Sequence, residues 1–236
     1  MGLFLCVWTE FFACGIIYLK FRNRERIFGS LCSAKKEMGY MKTLYCDNNL
    51  IVCEKPVGVD SEKQFPQMIK DETGKEPYTV HRLDMNVGGV MVYALNKKTA
   101  AELSKSIEQG TMIKEYVACV HGLVPESGVL EDYLFKDSRK NKVFVVKKQR
   151  KGVKYAKLEY TRLNDTDPSF VRIRLHTGRS HQIRVQFSSR GYPLVGDHKY
   201  GSRSELTNPM LYSCKLTFPY KGEVVSFESF PCWLGV

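Results

Sequence analysis

The sequence predicts an α/β (α+β) fold, with a central mixed, mostly antiparallel sheet flanked by helices and loops. Two patterns carry that expectation. Residues 43–120 alternate buried-strand runs with an amphipathic helix. Residues 143–218 supply short strands with too few intervening helices for the crossovers that an all-parallel sheet needs. Composition agrees: 43% hydrophobic and 26% charged residues among 236 are close to the soluble globular average, which excludes a disordered, collagen-like or mainly membrane-embedded chain.

Residues 1–40 stand apart from a body spanning 41–236. Residues 3–19 are apolar except for Glu10 and are followed by Lys20, Arg22 and Arg24. The run is borderline against the ~20 residues of a membrane span and has no cationic stretch ahead of it, while the basic residues after it fit a cytoplasmic flank. Three readings stay open: an apolar anchor, an extra helix, or upstream sequence ahead of a natural start at Met41.

In the body, residues 43–45 and 50–53 read as strands around the turn Asp47-Asn48-Asn49, closed by Lys55-Pro56-Val57-Gly58. His81-Arg82-Leu83-Asp84 then precedes a Gly88-Gly89 turn and a buried strand over 89–94. Apolar Ala100, Ala101, Leu103 and Ile107, with Gly110 as the stop, predict a helix over 97–109. Strands are predicted over 115–120, 143–146, 156–162, 170–175 and 211–218. No internal repeat or low-complexity tract interrupts them.

The net charge is +11, more than solubility requires, and it favours a polyanionic partner. Ten Lys or Arg against Asp137 alone fall between 136 and 157, as a basic hairpin that includes Lys147, Lys148, Arg150 and Lys151. Seven more, against Asp197 alone, fall between 172 and 203. Phe144, Tyr155, Phe187 and Tyr192 lie in the same stretches, and aromatic rings among cations suit stacking on single-stranded bases.

The eight cysteines form no C-x-x-C pair and read as small hydrophobes of a reducing compartment, so a cytoplasmic location is expected. His81, His176 and His181 lack metal-ligand spacing. Neither G-x-x-x-x-G-K-[ST] nor G-x-G-x-x-G occurs, so no nucleotide cofactor and no metal are expected. Nothing calls for an obligate protein partner, and a monomer is expected.

Three segments in order, HRLDMNVGG from His81, KEYVACVHG from Lys114, and TGRSHQIR from Thr177 with GYPLVGDHKYG from Gly191, resemble the RluA-type family of RNA pseudouridine synthases. The opening LYCDNNLIVCEKPVGV is similar to the family's entry segment, so the resemblance runs from about Thr43 to Tyr220. It implies the pseudouridine synthase fold with a catalytic cleft, a cofactor-free isomerase, and a ribosomal or transfer RNA partner. Asp84 would be the essential carboxylate, Arg184 its guanidinium partner, and Tyr116 the ring against the target base. Arg82 would enter the space left by a flipped uridine. His81, Arg179, His181, Gln182 and Ile183 would line the substrate site.

Two departures stand out. Val87-Gly88 replaces a common Thr-Ser after the catalytic loop, and Gln186 stands where His is frequent. The altered loop leaves open an alternative, a weakly active or inactive RNA-binding protein of the same fold.

Overall fold

A computed structural model of the chain describes residues 41–235. The readings of 1–40, including the apolar run 3–19 and Cys6, Cys14 and Cys32, lie outside the described residues. Among the described residues no helix is long and apolar enough to cross a membrane.

Eleven strands form one sheet: β1 (Lys42–Cys46), β2 (Leu50–Lys55), β3 (Tyr78–Thr79), β4 (Gly88–Ala94), β5 (Ile113–Val120), β6 (Ser127–Asp137), β7 (Lys142–Val146), β8 (Val153–Arg162), β9 (Ser169–Leu175), β10 (Leu211–Tyr220) and β11 (Glu223–Glu228). Their order is β1-β2-β4-β10-β5-β9-β8-β6-β7, with β3 beside β4 and β11 beside β10. Among the described residues only β4 and β10 pair in parallel, so the sheet is mixed and mostly antiparallel, as predicted.

That parallel contact is two residues long, Tyr212 to Gly88 and Ser213 to Gly89. Gly89 has φ +125°, and a Cβ there would lie 2.6 Å from Ser213 N, so only glycine lets the two strands meet. Gly88-Gly89 is thus the start of β4 rather than the predicted turn. The contact places Gly89, Ser213, Tyr116, Ile173 and Tyr160 in one row across five strands.

Among the described residues three helices cover the sheet: α1 (Gln64–Thr73), α2 (Lys97–Glu108) and α3 (Gln182–Ser188). Phe65 and Ile69 of α1, with Ile183 and Phe187 of α3, join Tyr116 and Tyr160 in the larger core. Leu103 of α2 packs with Val90, Val92 and Phe218 on the opposite face. The predicted helix is α2, capped by the Asn96 side chain accepting from Thr99 N at 2.9 Å.

The sequence reading missed the other two helices. α1 carries Pro66 in its first turn and few apolar residues. In α3 Gln182 to Phe187 are all buried, so no polar face marks a helical period. Cys53, Cys119 and Cys214 are buried as expected, whereas Cys46 and Cys232 are exposed at element ends.

Candidate active site

Asp84 lies on the connection from β3 to β4, and that connection is held from three sides. Lys55 Nζ, itself buried, donates to the carbonyls of Pro56, Val59 and Met85. Gly58 N donates to Met85 O at 2.8 Å, and Ser61 Oγ donates to Leu83 O at 3.0 Å. Burial lowers the Lys55 pKa to about 8, against the pull of Asp60 and Asp84. Val87, one of the two departures from the family pattern, is buried in the core and donates its amide to Asp84 O at 2.9 Å. Core packing and backbone bonds therefore hold the loop without the missing hydroxyls.

The histidine of this loop fills a gap in the sheet. Beyond Ser213, β10 no longer pairs with β4, and the amide of Val92 points at no strand on that side. His81 Nε2 accepts it at 3.2 Å. Burial pushes the His81 pKa well below 6.5, so the ring is neutral, with its proton on Nδ1.

Across the cleft, Arg184 of α3 makes two connections. Its Nε and Nη2 donate to the two oxygens of Asp197 at 2.6 and 2.9 Å, a bidentate pair, and its Nη1 donates to Asp84 Oδ2 at 2.9 Å. Asp197 is 1% exposed, while the Asp84 side chain keeps 23% of its surface open. Burial disfavours the Arg184 charge, yet the hydrogen bonds and charges of Asp197 and Asp84 outweigh it and raise its pKa.

Beside them Tyr200 forms a small relay. Its hydroxyl accepts from Val143 N at 2.9 Å and shares a hydrogen bond with His181 Nδ1 at 2.8 Å. Nε2 faces Asp84 Oδ2 at 3.8 Å, and burial lowers the His181 pKa. The Arg184 guanidinium also stacks over the Tyr200 ring at 5.2 Å. Tyr116 lies on β5 with its pKa raised, first by burial and then by the charge of Asp84. Its hydroxyl stays protonated at neutral pH.

A profile described as RNA pseudouridylate synthase matches residues 49–189, more than half of the chain. The chain belongs to the RNA pseudouridylate synthase family. It is 30% identical to an uncharacterized RNA pseudouridine synthase of Aquifex aeolicus, over 89% of this chain and 77% of that one. It is 33% identical to tRNA pseudouridine synthase C of Haemophilus ducreyi, over 67% and 73% respectively. The solved structure of human RNA Pseudouridylate Synthase Domain Containing 1 shares the fold, with TM-score 0.71, 23% identity, and 81% and 84% of the two chains covered. The protein is an RNA pseudouridine synthase of the RluA type, an isomerase acting on RNA.

Within this pseudouridine synthase the structure brings Arg184 and His181 to Asp84 and sets Tyr116 close enough to feel the Asp84 charge. Ile183 is buried in the core. Arg82 is exposed and paired with Glu62 at 2.9 Å. His81 and Gln182, expected among the substrate contacts, are committed to the protein instead. Gln182 Nε2 donates to Lys157 O, and its Oε1 accepts from Thr177 and Arg179 N, which ties off the turn before α3.

Sequence reading gave no role to Asp197, Tyr200 or Lys55. All three stand in the quoted motif segments, GDHKYG and EKP, and that membership was the available signal. Gln186 in the other departure donates to Leu130 O and Asp132, as a buried strut.

The aromatic expectation needs correcting for Phe187, which is core, whereas Phe144 and Tyr155 are exposed and pair in register with Phe135 and Tyr133, on the face opposite Leu134 and α3. The three histidines of the motifs have separate partners, Val92 for His81, Glu159 for His176 and Tyr200 for His181.

Two outcomes follow. Asp197→Ala strips Arg184 of its bidentate partner and is expected to cost about 3–5 kcal/mol in urea unfolding, the penalty of breaking a buried ion pair; a loss below about 1 kcal/mol would contradict this. His81 is neutral in the folded chain far below 6.5, while the unfolded chain takes up the proton near 6.5. The unfolded state thus binds more protons below 6.5, and stability falls on acidification, by up to about 1.4 kcal/mol per pH unit. His81→Gln should flatten the decline of the urea midpoint between pH 7 and 5.5, and parallel declines in the two proteins would refute the assignment.

Proposed function

We propose that this pseudouridine synthase isomerises uridines in structured transfer or ribosomal RNA through Asp84, Arg184 and Tyr116, within a catalytic domain spanning 41–236. The observation that carries the reading is the Asp84 carboxylate, still partly open and held by a buried arginine whose Nε and Nη2 donate to Asp197. A carboxylate that must reach one ribose carbon or one ribose proton needs that fixed aim. The relative in Haemophilus ducreyi that is named for tRNA supports the RNA class.

The reaction breaks the N1–C1′ bond, turns the uracil and forms a C5–C1′ bond. N1 gains a proton as C5 loses one, so atoms balance without a cofactor. Asp84 acts at the ribose, either as nucleophile at C1′ or by taking a sugar proton, and both routes use the ionised carboxylate. The Tyr116 ring supplies a flat support on which the detached base turns. Its raised pKa makes the hydroxyl a hydrogen-bond donor rather than a base at neutral pH.

The target base must leave its stack to reach the cleft. Arg82 stands at the rim, and its exposed pair with Glu62 is worth at most ~1 kcal/mol, so the side chain is readily released into the gap in the RNA. Lys147, Lys148, Arg150 and Lys151, all exposed on the β7–β8 connection, supply backbone charge. Every proposed group comes from one chain, so a monomer suffices.

Asp84→Asn is expected to reduce pseudouridine formation to background and to keep RNA affinity within a few-fold, because phosphate contacts dominate affinity. Carbodiimide labelling and primer extension, on RNA from cells lacking the gene, read the first quantity and filter binding reads the second. Undiminished formation by Asp84→Asn would overturn the assignment, and a matching loss of affinity would move Asp84 from chemistry to binding.

A further inference from the structure

The turn from β9 into α3 roofs a second concavity, beside the Asp84 site and on the same face of the sheet. Its volume is about 150 Å³, and at roughly 30 Å³ per water it has room for about five waters. Lys136, Lys154, Gly178, Arg179 and Ser180 line it over an apolar floor that includes Val143, and no acidic residue lines it.

Register explains why these cations converge. Leu134 pairs with Lys154 and Lys136 with Val143, so these side chains share the face that carries Tyr200 and α3. The nearby carboxylates are already engaged, Glu131 by Lys157 and Asp132 by Arg190. Among the described residues Lys136 and Lys154 have no carboxylate partner. Arg179 donates its Nε to Tyr155 O at 2.9 Å, which anchors the side chain along the β8 edge where β9 has ended. Its two terminal nitrogens have no protein partner among the described residues.

Both ends of the concavity's roof lie next to the Asp84 site. Ser180 is followed by His181, whose Nε2 is 3.8 Å from Asp84. A Cβ on Gly178 would lie 4.0 Å from Lys114 Nζ, and Lys114 stands two residues before Tyr116 on the same side of β5. Three uncompensated cations around a concave space repel one another and are relieved by an anion.

We propose that this concavity is a phosphodiester site, in which Lys136, Lys154 and the free end of Arg179 hold one RNA backbone phosphate close to the target nucleotide. The proposal rests on the pseudouridylation reading for the identity of the strand. Its role is register: with one phosphate held beside the Ser180-His181 step, the neighbouring ribose is brought over Asp84. Lys136 and Lys154 then act on the strand that Asp84 modifies, whereas Lys147 and Lys148 contact RNA farther out.

The test is the double variant Lys136→Gln/Lys154→Gln, both exposed positions, with circular dichroism to confirm the fold. Binding of a short oligouridylate is measured across a salt series, with normal phosphodiesters and with a neutral methylphosphonate backbone. One lost single-strand phosphate contact lowers the log–log salt slope by about 0.7, and wild type and variant should then bind the neutral oligomer equally. An unchanged slope, or a deficit that persists on the neutral backbone, overturns the site. Binding is read without turnover, so the two readings fail separately. A lowered slope in a protein that forms no pseudouridine still supports the phosphate site, and an unchanged slope in an active enzyme removes the site alone.

Discussion

The bond network of Arg184 is the constraint on which the rest of the structure depends. α3 is seven residues long and its first six are buried, Arg184 among them. Such a helix is tolerable only because Asp197 meets the guanidinium with both oxygens in the interior. With Asp197 fixing the plane of the fork, the remaining Nη1 has one direction to point, and Asp84 lies there at 2.9 Å. Two loops far apart in sequence are thereby locked to one helix, and the open oxygen surface of Asp84 takes its aim from a charge pair behind it.

Supports on the other side of the cleft follow the same logic. The sheet is nearly interrupted between β4 and β10, joined only at Gly88–Tyr212 and Gly89–Ser213. The short junction brings Tyr116 into the row that leads to the catalytic loop, and the split beyond it leaves an amide that His81 satisfies. Lys55 ties the entry segment to the loop through three carbonyls. An apolar Val87 then serves where hydroxyls are common, because the loop's backbone is already bonded from outside it.

The sequence disclosed the strands with strong apolar runs, the α2 helix with its stop, and the mixed sheet. The chemistry-bearing side chains were legible only through motif segments in order, since HRLD alone reads as a local ion pair. Helix α3 was hidden because uniform burial erases its period, and α1 because its apolar face is thin. Asp197 was hidden for a different reason: its role is defined by Arg184, thirteen residues away, and spacing cannot show that two side chains share one buried bond. The aromatic interleaving misled at Phe187, which is buried in the core, because a helix with no polar face hides which of its side chains are exposed.

The central claim is that the fork of Arg184, and not its charge alone, sets the Asp84 carboxylate. Single-turnover pseudouridine formation by Arg184→Lys, at saturating RNA and with the fold verified by unfolding, tests it most directly. Lysine keeps the charge as a single point and cannot serve Asp197 and Asp84 with a planar fork. The account predicts a rate loss of about 100-fold or more, the effect of roughly 1 Å of misplacement, with RNA affinity retained. A rate within a few-fold of wild type would show that charge alone suffices and would contradict the account.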